Sequence, residues 1–313
     1  MHTAPLIDIR PATLADASLV CDLLNAVDTI EIGRPDTDLH AVETDLGHPE
    51  VDLARDSWLA FQGGRLVAYA IVWDDSGAER IDLDHYVLPD HQEAGERLLA
   101  LAEDRAVQRA GGNGVARAVL HLQLNSRPTT DLAVLKRRGW SPVRRYQVLT
   151  RALDGTDHRV PEPPAGLVLR DCAEEADRRL AHALLQETFR EHFDHQQRGY
   201  EQWLDDIGAR HIDWSLVWIA ALDGTDAAVM LTRDDRAAMG WIGNLGVRRD
   251  ARGRGIAGHL LRHAFAVYAA RGRGTLGLGV DTLNATGALR LYEAHGMAPD
   301  FSVDTWEAVL PVA

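Results

Sequence analysis

The sequence predicts two tandem copies of one α/β domain. The chain has 313 residues, which exceeds one ordinary hydrophobic core and suits two domains. Both halves show the same order of elements: strand, helix, helix, hairpin, strand, helix, strand, helix, strand. Matching positions also keep a near-constant spacing, since Arg10 and Arg170 are 160 positions apart and Gly139 and Gly296 are 157 apart. A repeat that covers the whole chain indicates a duplicated domain.

The elements of the first half follow from their hydrophobic periods. Residues 7–10 alternate apolar and polar side chains as a strand does, and residues 14–30 and 39–46 carry a helical period. Two β-rich runs, 57–61 and 66–73, are joined by a Gln-Gly-Gly turn that is typical of a hairpin. The remaining predicted elements are a strand, a helix, a strand, a helix and a strand, at residues 79–88, 93–110, 116–124, 130–138 and 143–149.

The second half repeats this series after a proline-rich linker. Pro161, Pro163 and Pro164 disfavour both helix and sheet interior there. The predicted boundaries are 1–153 for the first domain, 154–165 for the linker and 166–313 for the second domain. The strands and helices predicted in the second domain lie at residues 166–170, 174–193, 200–207, 216–221, 227–232, 240–247, 256–270, 275–280, 285–295 and 305–310.

Composition and charge argue against several classes of protein. The chain is 46% hydrophobic and 26% charged, as globular domains are, and its formal net charge of -14 disfavours nucleic-acid binding. With only Cys21 and Cys172, neither a disulfide framework nor a cysteine zinc site is expected, and no metal site is predicted. No secretory signal or membrane-spanning run is recognised, so we expect a cytoplasmic protein, monomeric or homodimeric.

Residues 241–258, WIGNLGVRRDARGRGIAG, carry the strongest functional signal. An apolar strand ends at Val247, four arginines and two glycines follow, and a helical pattern starts at Ile256. Glycines let a backbone approach an anion closely, and a helix N-terminus presents free N–H groups and a positive dipole end. The stretch therefore predicts a phosphate-binding turn.

Two interpretations of this turn rest only on the residues of the turn itself. Gly253, Gly255 and Gly258 match the dinucleotide pattern G-x-G-x-x-G. That pattern should follow the first strand of a βαβ unit directly and precede an acidic residue by about 20 positions, and neither condition holds here. A basic surface turn without a ligand is the second interpretation.

A third interpretation is a resemblance to the GNAT superfamily of N-acetyltransferases. Residues 252–257, RGRGIA, resemble that family's Q/R-x-x-G-x-G/A loop, and residues 284–297, NATGALRLYEAHGM, resemble a second family segment with Met297 in place of Phe. The resemblance implies a mixed, mainly antiparallel sheet flanked by helices in each half. It also implies acetyl-CoA as acyl donor, bound by Leu245, Gly246, Val247, Arg252, Gly253, Arg254, Gly255, Ile256, Ala257 and Asn284.

The same resemblance implies a catalytic role for Tyr292. Acetyl transfer from a thioester to an amine needs a polarised carbonyl, a neutral amine and a proton for the departing thiolate. A backbone N–H near residues 245–247 would polarise the carbonyl, and the Tyr292 phenol would donate the proton. Asn284 would cap the helix that carries Tyr292. Without its spacing from Asn284 and Gly296, Tyr292 would be interpreted as a core residue.

No pattern identifies the base that deprotonates the amine. Acidic and histidine side chains cluster at one helix end: Glu187, Glu191, His192, Asp194 and His195. A histidine near its ordinary pKa suits the role, whereas a solvated surface and a base acting through water are the alternatives. The predicted acceptor-site residues are Glu191, His192, Asp194, Trp241 and Asn244. The tryptophans that either wall this pocket or fill the core are Trp203, Trp214, Trp218 and Trp241.

The first half departs from the family pattern. Its counterpart of the Gly/Arg turn is two residues shorter, and Glu93 and Glu96 place negative charge at the helix start, which opposes an anion. Leu135 stands where the second half has Tyr292, and Asn125 is out of register with Asn284. We therefore expect a degenerate GNAT-like domain that completes the fold, shapes the acceptor site or binds a ligand of its own.

These observations together predict an N-acetyltransferase that transfers an acetyl group from acetyl-CoA directly to a primary amine of a small molecule. The tandem layout resembles that of the mycothiol synthases, and a polyamine antibiotic is the alternative acceptor. A non-catalytic acyl-CoA-binding sensor is the alternative from another class of protein.

Overall fold

The computed structural model describes residues 6–157, 159–193, 195–208, 212–236, 239–283 and 287–312. Contacts divide the chain into two compact units. The first unit comprises Met1–Tyr146 with Phe301–Ala313, and the second comprises Gln147–Asp300.

The first unit contains a mixed, mainly antiparallel sheet. Its strands are β1 (Ile7–Arg10), β2 (Ser57–Gln62), β3 (Arg65–Trp73), β4 (Arg80–Val87), β5 (Arg117–Asn125) and most of β12 (Ala298–Pro311). They follow the order β1-β2-β3-β4-β5-β12. The pair β4–β5 is parallel and the other neighbours are antiparallel. The strand β6 (Ser141–Ala152) begins in this unit and ends in the second.

Helices cover the sheet of the first unit. They are α1 (Ala17–Ile32), α2 (Leu39–Leu46), α3 (Leu53–Asp56), α4 (Gln92–Gly112) and α5 (Leu132–Arg137). The apolar sides of α1 and α4 pack on β3 and β4, where burial of each large side chain stabilises the fold by about 1.5–3 kcal/mol. The sequence predicted the other four helices but not α3.

The second unit repeats this arrangement. Its strands are the end of β6, β7 (Leu167–Asp171), β8 (Val217–Leu222), β9 (Thr225–Arg233), β10 (Gly240–Val247) and β11 (Thr275–Asp281), in the order β6-β11-β10-β9-β8-β7. The pairs β7–β8, β8–β9 and β9–β10 are antiparallel, and β10–β11 is parallel. Its helices are α6 (Glu175–Phe189), α7 (Tyr200–Gly208), α8 (Ile256–Ala270) and α9 (Ala288–Ala294).

The helices of the second unit lie on both faces of its sheet. Along β9, Val229 belongs to the core cluster shared with α6, whereas its neighbours Ala228 and Met230 belong to the cluster shared with α8. Successive strand side chains point to opposite faces, so α6 and α8 cover opposite sides. The predicted fold, two tandem units each with a mixed, mainly antiparallel sheet flanked by helices, is confirmed.

Two further findings concern the described residues. None of their helices is both long and apolar enough to cross a membrane. Cys21 and Cys172 are both buried and free.

Candidate functional site

The strand β10 contains a β-bulge at Gly243. Ile242 lies opposite Thr232 of β9, and Asn244 lies opposite Leu231, so Gly243 is an extra residue between two regular pairs. A bulge changes the face to which the following side chains point and increases the local twist. The backbone of β10 is therefore irregular just before the segment predicted to contact the acyl donor.

That segment is held between both helical layers. A Cβ atom on Gly246 would lie 2.1 Å from Oγ1 of Thr188 on α6, so only glycine fits at this position. On either side, Leu245 and Val247 pack against the core cluster that contains α8. The three residues therefore have little freedom to shift.

The strands β10 and β11 separate beyond the bulge. Among the described residues their parallel pairing covers only Gly240–Ile242 with Leu276–Leu278, although β10 continues to Val247 and β11 to Asp281. Backbone groups that lose their ladder partner need another one. The free edge of β10 is therefore available for hydrogen bonds to a ligand.

The Gly/Arg turn leads directly into the N-terminus of α8. Gly253 and Gly255 have positive φ angles of 75° and 77°, a conformation that favours glycine. Gly255 is the N-cap, and no side chain caps the helix. The first helical hydrogen bond runs from the N–H of His259 to the carbonyl of Gly255 at 3.0 Å, so the preceding amides have no partner within the helix. A Cβ atom at either glycine would meet nothing within 4 Å, which shows open surroundings.

The arginines of this turn make exposed and weak contacts. Arg254 lies 3.1 Å from Asp223, and Arg249 lies 2.7 Å from Glu191. The Nε–H of Arg252 donates to the carbonyl of Val247 at 3.2 Å. Exposed ion pairs contribute at most about 1 kcal/mol each, so an incoming anion can replace them at small cost.

Tyr292 lies on α9 and is 8% exposed within the core cluster of the second unit. Burial raises the pKa of its phenol to about 12, so the hydroxyl keeps its proton at neutral pH. The described residues provide no hydrogen-bond partner for that hydroxyl. A protonated phenol without a partner can donate to a group that enters the site.

The helices α8 and α9 meet at Gly258, a contact that the sequence did not predict. A Cβ atom on Gly258 would lie 2.9 Å from Nε2 of His295, which follows α9. The His295 ring also contacts the carbonyl of Leu291 at 2.8 Å and the guanidinium of Arg262 at 3.2 Å. This contact ties the first turn of α8 to the helix that carries Tyr292.

The described residues of the predicted acceptor site lie on β10 and just after α6. Asn244 lies at the bulge, and the Trp241 ring carries the Arg236 guanidinium at 4.0 Å. Glu191 pairs with the Gly/Arg turn instead, and the His192 ring packs 4.4 Å from that of Phe189. Asp194 and Asn284 lie outside the described residues, and the N-cap of α9 is Gly287.

The other tryptophans divide between core and surface roles. Trp203 and Trp218 are buried, and Trp218 packs edge-on against His263 at 4.8 Å. Trp214 is half-buried beneath the guanidinium of Arg178.

In the described part of the chain, no cluster of three or more potential metal ligands is present.

Part of the second unit matches a known protein family. Residues 213–296 match the acetyltransferase (GNAT) domain model, and the match contains the bulge, the Gly/Arg turn and Tyr292. That part of the chain is therefore similar to GNAT acetyltransferase domains. Members of that superfamily are acetyltransferases, and they generally use acetyl-CoA. No curated protein matches the chain significantly.

Solved GNAT structures resemble the whole chain. A GCN5-related N-acetyltransferase from Sphaerobacter thermophilus is 27% identical, with a TM-score of 0.84 over 99% of this chain and 98% of that one. A tandem GNAT protein from the clavulanic acid biosynthesis pathway is 18% identical, with a TM-score of 0.71 over 97% and 98% of the two chains. A GNAT acetyltransferase from Colwellia psychrerythraea is 14% identical, with a TM-score of 0.59 over 96% and 99%. The last two likenesses concern the fold alone.

Proposed function

We propose that the protein is an acetyl-CoA-dependent N-acetyltransferase whose second unit acetylates a primary amine of a small molecule. The supporting observation is the uncapped N-terminus of α8, reached through Gly253 and Gly255 and joined at Gly258 to the helix of Tyr292. A pyrophosphate-binding turn and a proton donor thus belong to two helices in direct contact.

The residues of the turn fit the donor well. Residues 252–257 would hold the pyrophosphate on free backbone amides, with Arg252 and Arg254 adding positive charge. The open edge formed by Leu245, Gly246 and Val247 would hydrogen-bond the pantetheine arm, and Asn284 is proposed as a further contact. Acetyl-CoA supplies the activated acetyl group when bound.

The chemistry of this chain rests on two groups. A backbone N–H near the bulge would polarise the acetyl carbonyl, since an oriented amide in a water-poor site stabilises developing negative charge. Tyr292, with its pKa near 12, would donate its proton as the carbon–sulfur bond breaks. On the acceptor side we propose Asn244 and Trp241, together with Glu191, His192 and Asp194.

The acceptor class is the finer part of the proposal. A mycothiol synthase-like enzyme would acetylate a cysteinyl amine, whereas the net charge of -14 would also suit a cationic amine such as a polyamine antibiotic. We further propose a catalytic domain at residues 166–313 and a degenerate domain at 1–153, although contacts group residues 301–313 with the first unit and 147–165 with the second. We also propose a cytoplasmic monomer or homodimer.

The direct test measures the release of free thiol when acetyl-CoA and a panel of amines are mixed with the protein. We expect release with at least one primary amine, and a rise in melting temperature with acetyl-CoA but not with NAD(H). Stabilisation by acetyl-CoA without thiol release from any amine would instead identify a non-catalytic acyl-CoA-binding sensor. An absence of both effects would refute acyl-CoA binding altogether.

A further inference from the structure

The imidazole of His295 lies between the helices α8 and α9 of the second unit. Its Nδ1 atom lies 2.8 Å from the carbonyl oxygen of Leu291, and its Nε2 atom lies 3.2 Å from a guanidinium nitrogen of Arg262. A carbonyl oxygen can only accept a hydrogen bond, so Nδ1 carries the proton and Nε2 accepts from the guanidinium. Both nitrogens of a neutral ring are therefore used, one toward each helix.

The carbonyl that this ring contacts belongs to the peptide group that joins Leu291 to Tyr292. It is among the last four carbonyls of α9, whose regular partners lie beyond the end of the helix. The amide of His295, which would close the regular bond, donates instead to the carbonyls of Tyr292 and Glu293. The imidazole supplies the hydrogen bond in its place, and so it fixes the peptide group directly before Tyr292.

On the side of α8, Gly258 leaves room for the ring. A Cβ atom there would lie 2.9 Å from Nε2 and 3.1 Å from Cε1 of His295, closer than a methyl group allows. Arg262 lies one turn further along the same face of α8, so both contacts of the ring are on one side of this helix. Gly258 directly follows residues 252–257, the proposed pyrophosphate turn. The ring therefore joins the start of α8 to the peptide group before Tyr292.

We propose that His295 is a positioning residue, which fixes the place of Tyr292 relative to the donor bound at the Gly/Arg turn. This inference rests on the proposed function, in which the pyrophosphate and the proton donor belong to different helices. The helix α9 has seven residues, too few to be stable in isolation, so its contacts decide where Tyr292 lies. The phenol must be within hydrogen-bond reach of the sulfur as the carbon–sulfur bond breaks. A loosely held α9 would place it there for a smaller fraction of the time.

A double-mutant cycle between His295 and Tyr292 tests this role by steady-state thiol release and calorimetry. We expect His295→Ala to lower kcat about tenfold and to leave the affinity for acetyl-CoA unchanged, because only the phenol is misplaced. In the Tyr292→Phe protein, which has no phenolic proton to place, His295→Ala should lower kcat by less than about twofold. A residue that only stabilises the fold would lower kcat equally in both proteins.

A conservative variant and a control locate the effect in one hydrogen bond. In His295→Asn the side-chain amide can still donate to the Leu291 carbonyl, so we expect kcat to stay within about threefold of the unsubstituted protein. His40→Ala removes an exposed imidazole from α2 in the first unit and should keep full kcat.

The possible failures of this inference and of the proposed function are distinct. An unchanged kcat in His295→Ala, or an equal loss of kcat with and without the Tyr292 hydroxyl, would overturn the positioning role and leave the proposed function standing. A kcat for His295→Asn as low as that for His295→Ala would also overturn it, because the bond to Leu291 would then have no effect. An absence of thiol release from the unsubstituted protein would instead refute the proposed function, and the role of His295 with it.

Discussion

The two halves of the chain have the same backbone around Leu135 and Tyr292 but different side chains. The carbonyl of Leu135 accepts from the N–H groups of residues 138 and 140, at 3.0 and 3.1 Å. The carbonyl of Tyr292 accepts from residues 295 and 297 at the same two distances. Gly139 and Gly296 both have positive φ in these turns. The two positions are therefore structurally equivalent, and only the second half carries a proton donor there.

The helix starts of the two halves differ more strongly. Four residues, 88–91, connect β4 to α4, whereas eight residues, 248–255, connect β10 to α8. The first turn of α4 contains Glu93, which pairs with Arg97, whereas the first turn of α8 has no acidic residue. The sequence predicted a turn that is two residues shorter and acidic in the first half, whereas the connection between strand and helix is four residues shorter in the structure. That the first half does not bind an anion stays a prediction.

The gap between parallel strands is filled in the first half. The strands β4 and β5 also separate, after Leu83, but β4 has no bulge. There the buried His85 contacts the carbonyl of Gly95 at 2.9 Å and the hydroxyl of Thr130 at 3.3 Å. The parallel strands therefore separate in both units, but among the described residues a buried histidine occupies this position only in the first.

Removal of the Tyr292 hydroxyl should have the largest effect. We expect Tyr292→Phe to lower kcat about 100-fold while the affinity for acetyl-CoA stays unchanged, because the phenol acts only as the thiolate forms. Steady-state thiol release and calorimetry measure the two quantities. Tyr268→Phe is the matched control, since Tyr268 is buried and bonded to Thr232 in the same unit. An unchanged kcat would remove Tyr292 from the mechanism.

Removal of the His85 side chain, which lies where β4 and β5 separate, should lower the stability of the protein and leave acetyl-CoA binding unchanged. We expect His85→Ala to lower the free energy of unfolding by about 2 kcal/mol, because it leaves a cavity and unpaired polar groups. His40→Ala, an exposed change on α2, should cost less than about 0.5 kcal/mol. Calorimetry should give one acetyl-CoA per chain for both variants. A second equivalent of acetyl-CoA bound to His40→Ala, which keeps His85, would contradict the interpretation that His85 closes the gap between β4 and β5.

Substitution of Gly255 by alanine in the Gly/Arg turn should separate the effect of backbone strain on stability from the effect on acetyl-CoA binding. We expect Gly255→Ala to weaken the binding of acetyl-CoA about tenfold. It should also cost about 1 kcal/mol of stability, because the φ angle of Gly255 is positive. Gly33→Ala, at the end of α1 with φ of 83°, imposes the same strain away from the turn. Thermal unfolding should show similar losses for both variants, and calorimetry should show a loss of affinity for Gly255→Ala alone. Equal acetyl-CoA affinity in the two variants would argue against the turn as the phosphate site.

The smallest effect concerns the dependence of stability on pH. Because the folded-state pKa of Asp84 is raised to about 7, the folded protein retains that proton more tightly than the unfolded chain. Stability contributed by the protonated form is therefore lost as pH rises from about 4 toward 7. We expect Asp84→Asn to raise the melting temperature more at pH 8 than at pH 4. Asp104 on α4 is exposed, so Asp104→Asn is the matched control. The same gain in melting temperature at both pH values, or the same gain in Asp104→Asn, would contradict a raised pKa of Asp84.

The sequence by itself determined the elements and their duplication. Hydrophobic periods are local, so α2 is found at the predicted residues, and the helix-ending glycines 139 and 296 are found where they were expected. The Gly/Arg turn before α8 was equally visible, because both glycines adopt the positive φ that their residue type permits. The four-residue helix α3 is too short to show a period, although its buried Asp56 contacts Arg105 and Arg109 on α4.

Only the tertiary structure decided how distant segments are arranged. The bulge at Gly243 exists because β10 has one extra residue between its pairs with Thr232 and Leu231 of β9, and no pattern within β10 reveals that pairing. The contact of His295 with Gly258 and the pairing of β12 with β5 likewise join residues far apart in the chain. Local patterns specify which face of an element is apolar, but strand register, pKa values and empty space between side chains depend on which elements meet.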